Sequence, residues 1–160
     1  YGFKPGAGGT LGAEVHFVPN QNTAEGIFIA DGPCHLIAGM WPHFKDPDKP
    51  IKWTVKKGKI TDVEGGRDAE KFTALMKKIK NLDNVCEFAV GTDPHWINDG
   101  SLHMVKKGLG NCHIAFGGWG VLGATVNEGI DCLLHVDVTC YHGTFWADGK
   151  KLVDDGKFLV

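Results

Sequence analysis

The chain has 160 residues, 42% of them hydrophobic and 22% charged, which suits one globular core of ordinary size. Its net charge of −2 argues against a nucleic-acid or anionic-membrane surface. No apolar run approaches the ~18 residues of a membrane-spanning helix. The opening YGFKPGAGGTLG lacks both an initiator Met and the apolar stretch of a secretory signal, so a cytoplasmic fragment or processed chain is expected. AEVHFVP (13–19) alternates and stops at Pro19, and EGIFIADG (25–32) is a short apolar run closing on a turn, so both predict strands. IKWTVKKGKITDVEGG (51–66) predicts two strands around a Lys-Gly turn. RDAEKFTALMKKIKN (67–81) sets Phe72, Leu75, Met76 and Ile79 at helical spacing with lysines opposite, and Asp68 is placed to cap the helix. VCEFAVG (85–91), NCHIAFGG (111–118) and LLHVDVTC (133–140) read as strands, separated by the loop TDPHWINDG (92–100) and a Gly-rich stretch (117–129). GTFWADGKKLVDDGKFL (143–159) reads as a closing hairpin. The expectation is one α+β domain over residues 1–160, mostly antiparallel sheet with one clear amphipathic helix.

The chemistry is suggested by polar residues on apolar strands. LLHVDVTC, as a strand, turns His135 and Asp137 to one face and Leu134, Val136 and Val138 to the other. Glu14, Glu87 and His113 interrupt other strands in the same way. A buried carboxylate without a partner costs several kcal/mol. Three carboxylates and two imidazoles brought together repel unless a cation joins them, and this donor mix suits Zn²⁺, Co²⁺, Mn²⁺ or Fe²⁺, one or two ions per site. Spacing alone does not bring the five together, and each taken singly is also an ordinary polar group at a strand edge. His16 shares a face with Glu14, and Asp93 and His95 follow Glu87 closely enough to support such a site from behind.

The remaining candidates carry less. The five cysteines (Cys34, Cys86, Cys112, Cys132 and Cys140) are odd in number and form no CxxC pair, which predicts buried reduced thiols rather than a zinc site or a Cys-His nucleophile. GAGG (6–9) and GGWG (117–120) lack the strand-to-helix setting of a phosphate loop. The Gly-rich stretch reads equally as a mobile substrate cover or as a surface loop. Trp41, His43, Trp96 and Trp119 are candidates for an aromatic pocket, and the loop tryptophans also suit an interface.

In order along the chain, GAEVHFVPNQNTAEGIFIADG, VKKGKITDVEGGRDAEKF, NVCEFAVGTDP, GNCHIAFGG, LLHVDVTC and GTFWADGKKLVDDGKF resemble the thermophilic aminopeptidase T family of metalloproteases. They also resemble its relative, the 2,5-dihydroxypyridine 5,6-dioxygenases. Both groups carry an N-terminal α/β domain, so the resemblance implies that this chain is the C-terminal, metal-binding half. The aminopeptidase resemblance implies that Glu14, Glu87, His113, His135 and Asp137 are metal ligands. The chain departs from that pattern at Lys106, Lys107 and Gly108, where the aminopeptidases carry an acidic residue. The dioxygenase resemblance is closer at YGF and KKGKITDVEGG and implies an iron held by two histidines and one aspartate. His135 and Asp137 match two of these, while Glu87 stands where the third would be histidine.

The leading expectation is a metal-dependent hydrolase of an amide-like bond, aminopeptidase-like, with metal-activated water and Glu14 or Glu87 as base. The alternative is a mononuclear iron(II) dioxygenase cleaving a dihydroxylated aromatic ring, its iron on His135, Asp137 and either Glu87 or His113. A metal-stabilised, non-catalytic binding module is the third reading. A small-molecule or peptide substrate is expected, with a homo-oligomer or a separate N-terminal-domain chain as partner, and neither nucleic acid nor membrane.

Overall fold

The computed structural model describes residues 13–36, 46–98, 102–118, 130–132 and 134–159. Trp41, His43, Trp119 and most of the Gly-rich stretch lie outside the described residues. In chain order the elements are β1 (Glu14–Phe17), β2 (Gly26–Ala30), β3 (Cys34–Leu36), β4 (Ile51–Lys56), β5 (Lys59–Glu64), α1 (Arg67–Met76), β6 (Val85–Gly91), α2 (Leu102–Lys107), β7 (Cys112–Gly117), β8 (His135–Cys140), β9 (Phe145–Ala147), β10 (Lys150–Asp154) and β11 (Lys157–Phe158). The ladders form a five-stranded sheet β1-β6-β7-β8-β3 and three-stranded sheets β2-β4-β5 and β11-β10-β9. All their named pairings are antiparallel, the expected α+β arrangement. No helix among the described residues is long and apolar enough to cross a membrane.

Local chemistry explains most of these elements. The β4–β5 turn is Lys57-Gly58, with φ of 49° and 72°, the doubly left-handed pair whose twist suits a two-residue hairpin. Along β4, Ile51, Trp53 and Val55 alternate inward. The Trp53 ring lies 5.3 Å from Phe72 of α1 and 4.6 Å from Phe116 of β7. One side chain thereby ties hairpin, helix and large sheet into a shared core with Ile114, Leu134, Val136 and Val138.

Two local expectations are corrected. Asp68 does not cap α1, because it already lies in the first turn, and the N-cap position is Gly66. The cap comes from 19–20 residues upstream. Asp48 accepts the backbone N–H of Arg67 at 3.0 Å and of Asp68 at 3.1 Å, while the Asp68 carboxylate accepts the Asp48 N–H at 3.0 Å. These bonds satisfy helix-end donors that the local sequence leaves open. The closing hairpin is a three-stranded meander, because both Asp148-Gly149 and Asp155-Gly156 turn with positive φ. The short β3 and α2 were not anticipated.

Candidate metal centre

The register of the large sheet gathers the polar residues. His16 pairs with Ala89, Ala89 with His113, and His113 with Thr139. In the next row Glu87 pairs with Ala115 and Ala115 with Asp137, and Gly117 pairs with His135 beyond it. Since side chains alternate along each strand, these residues share one face. Small residues (Ala89, Gly91, Ala115 and Gly117) stand between the large polar ones and leave them room to converge. The ladder is irregular between Val85 and Glu87, and there the Cys86 sulfur approaches His135 Nδ1 to 3.6 Å. Such a bulge re-aims side chains beside it.

The convergence is tight and buried. Glu87, His113, His135 and Asp137 are all buried. His135 Nδ1 donates to the Gly118 carbonyl at 2.9 Å, which leaves Nε2 directed at Asp137 Oδ1, 3.0 Å away, and at Glu87 Oε2, 3.1 Å away. Burial alone would push the His135 pKa down, but the Asp137 carboxylate prevails and raises it well above the usual imidazole value. Burial would likewise raise both acids. The Lys106 ammonium prevails at Asp137, holding it well below the carboxylate range, and His113 and His135 bring Glu87 down to about 2.

His113 is the exception to this satisfaction. It is fully buried, and neither ring nitrogen has a hydrogen-bond partner in the structure. Its Nε2 lies 3.5 Å from Glu87 Oε1. An imidazole buried in this way costs a few kcal/mol unless something uses its lone pair. One ligand atom from each of Glu87, His113 and Asp137 lies within 4.8 Å of the others. These three residues therefore fit a divalent cation, with an imidazole free of hydrogen bonds and two carboxylates, and His135, outside that group, adjoins both carboxylates through Nε2 with its tautomer set from behind.

Lys106, absent from the expected site residues, stands inside it. Its Nζ donates to Asp137 Oδ2 at 2.9 Å, and it is only 5% exposed. Burial would lower its pKa, but Asp137 and Glu14 raise it, so the ammonium stays charged. It arrives because the end of α2 lies against the sheet. A Cβ on Gly91 would sit 2.2 Å from the Gly108 carbonyl oxygen, so only glycine permits that approach. Asp93 N–H to Lys107 O at 3.0 Å and Leu109 N–H to Asp93 O at 2.9 Å then pin the segment.

The sequence matches the family of 2,5-dihydroxypyridine 5,6-dioxygenases, NicX, over residues 4–160. The chain belongs to the NicX family. No curated protein matches it. Among solved structures, the 2,5-dihydroxypyridine dioxygenase from Pseudomonas putida superposes with a TM-score of 0.70 at 21% identity over 90% of this chain, a likeness of fold. This NicX-family chain spans 42% of that protein's chain.

Family membership corrects the leading functional expectation. Of the two resemblances, the match falls on the dioxygenase and not on the aminopeptidases, so the metal-dependent hydrolase is withdrawn. With it go the metalloprotease reading and the roles of Glu14 and Glu87 as base for amide hydrolysis.

The other expected residues fall as follows. Glu14 is partly buried, with its Oε2 unpartnered and its Oε1 3.7 Å from His16 Nδ1. It forms a neighbouring cluster with His16 and Glu87 and has no place in the Glu87–His113–Asp137 group. Burial would raise its pKa, but His16 and Lys106 lower it. Asp93 and His95 enter neither cluster: Asp93 Oδ1 accepts the His95 N–H at 2.8 Å and closes a turn. The Trp96 ring fills the space where a Gly108 side chain would go. All five cysteines are free thiols. Burial pushes Cys112 up to about 12 and Cys140 to about 11, so neither is a thiolate nucleophile.

Proposed function

We propose that this chain, residues 1–160, is a single metal-binding unit of a non-haem iron(II) dioxygenase that opens a dihydroxylated heteroaromatic ring. The observation that carries the metal is His113, a buried imidazole without a hydrogen bond, beside Glu87 and Asp137. Two histidines and an aspartate (His113, His135 and Asp137) are the donor set of mononuclear iron(II) oxygenases, with Glu87 as a further carboxylate beside them. NicX-family membership and the likeness to a solved 2,5-dihydroxypyridine dioxygenase support the ring-cleaving chemistry. The bound ion would supply open positions for a chelating hydroxylated ring and for dioxygen.

The protein's own groups prepare that chemistry. Gly118 fixes His135 in the tautomer that leaves Nε2 to a cation. Burial on the sheet keeps water from the donors and strengthens every charge–charge contact among them. Glu14 Oε2 is an unused acceptor at the margin, suited to a hydroxyl or ring N–H of the substrate.

The test is anaerobic loading with iron(II), followed by oxygen uptake with 2,5-dihydroxypyridine. The expected result is one dioxygen consumed per ring opened, with loss of the ring absorbance. Iron-loaded chain that consumes no oxygen with dihydroxylated aromatics would sink the dioxygenase reading. Unchanged iron content in both His113→Ala and His135→Ala would sink the metal site.

A further inference from the structure

The described residues hold two groups of ligand atoms that share Glu87. One is Glu87, His113 and Asp137, the other Glu14, His16 and Glu87. On geometry alone, two cations bridged by Glu87 fit this set. Lys106 weighs against the second. Its ammonium is bonded to Asp137 Oδ2 at 2.9 Å and interacts electrostatically with Glu14 and Glu87.

Charge decides between the two arrangements. A single divalent cation balances Glu87 and Asp137, and the Lys106 ammonium balances Glu14. His16, whose Nδ1 lies 3.7 Å from Glu14 Oε1, brings no negative charge for a second cation to balance, whether neutral or protonated. A second divalent ion would leave the buried cluster with surplus positive charge, which a low-dielectric interior makes expensive. Geometry points the same way. With Oδ2 held by Lys106, Asp137 has one oxygen left for a cation, the one nearest His135.

We propose that Lys106 is a positioning residue of this centre: its ammonium holds Oδ2 of Asp137 so that Oδ1 alone faces a cation, and it stands in for a second metal ion beside Glu14. The inference rests on the metal reading above. Lys106 touches the reacting atoms only through Asp137, and it acts through charge, so arginine should replace it and methionine should not.

Cobalt(II) titration of the metal-stripped chain tests this, read by visible absorption and by metal content after gel filtration. Wild type, Lys106→Arg and the neighbouring control Lys107→Met are expected to bind one ion per chain with the same absorption spectrum. Lys106→Met is expected to bind a second ion, with a changed band for the first, because Asp137 is free to offer both oxygens. Two ions in the wild type, or a folded Lys106→Met with the wild-type stoichiometry and spectrum, would overturn the proposal. So would a folded Lys106→Met that binds no ion. If Lys106→Met does not fold, the wild-type stoichiometry still decides. No ion in the wild type would instead remove the metal reading, and this inference with it.

Discussion

The two faces of the five-stranded sheet are built from alternate residues of the same strands, and at β7 and β8 both faces are buried. On one face Ile114, Phe116, Val136 and Val138 pack against Trp53 and its neighbours. On the other, His113, His135 and Asp137 face one another, Glu87 and Lys106. Equal burial therefore has opposite consequences. The apolar face gains about 25 cal/mol for each Å² of apolar surface removed from water. The polar face carries desolvated charges whose mutual attraction does little more than offset that cost. The apolar side holds the fold, and the polar side is kept for what it binds.

This contrast can be broken in order of size. Phe116→Ala is expected to cost about 3–5 kcal/mol in urea unfolding while leaving iron content per folded chain unchanged. A drop in iron binding by the folded variant would show that the faces are not independent.

Asp137→Leu is expected to cost a similar amount, about 3–5 kcal/mol, because it strands the Lys106 ammonium in the interior. The double variant Asp137→Leu/Lys106→Met should recover most of that stability without recovering metal. A double variant no more stable than the single would mean that the loss comes from packing and not from the stranded charge.

The polar face gives the metal-free protein a pH dependence of definite sign. The His135 pKa is raised on folding, so its contribution is complete below the ordinary imidazole value of 6.5 and is lost as pH rises from there through the folded value. The pKa values of Glu87 and Asp137 are depressed, so their contributions are present above the ordinary carboxylate values and are lost as pH falls, for Glu87 from 4.5 toward about 2. Chemical denaturation should therefore find greatest stability between these windows, at about pH 5–6. A midpoint that keeps rising to pH 9 would contradict the ion-pair geometry.

His113→Leu is expected to lower metal content sharply, with a smaller change in metal-free stability of about 1–2 kcal/mol, because removing the unbonded ring nitrogens offsets the loss of the 3.5 Å contact with Glu87. Thr139→Val should have the smallest effect. The Thr139 hydroxyl is fully buried without a partner, so its removal should be neutral or stabilising by under about 1 kcal/mol.

By itself the sequence determined what depends on near neighbours. Alternation along Cys112–Gly117 and His135–Cys140 announces strands with one apolar and one polar face, and the Lys-Gly and Asp-Gly pairs announce the hairpin turns. The order of the strand motifs pointed toward two families, with the dioxygenases as the alternative. Tertiary structure decided the rest. Asp48 caps a helix 19 residues away, Gly91 lets the end of α2 lie close to the sheet, and Lys106 is thereby carried onto Asp137. In a linear reading Lys106 is one of two adjacent lysines, indistinguishable from a solvated pair. Periodicity reports which way a side chain points along its own element, whereas charge pairing across the fold depends on how closely two backbones approach. Here a glycine at the contact, Gly91, far in sequence from Asp137, sets that approach.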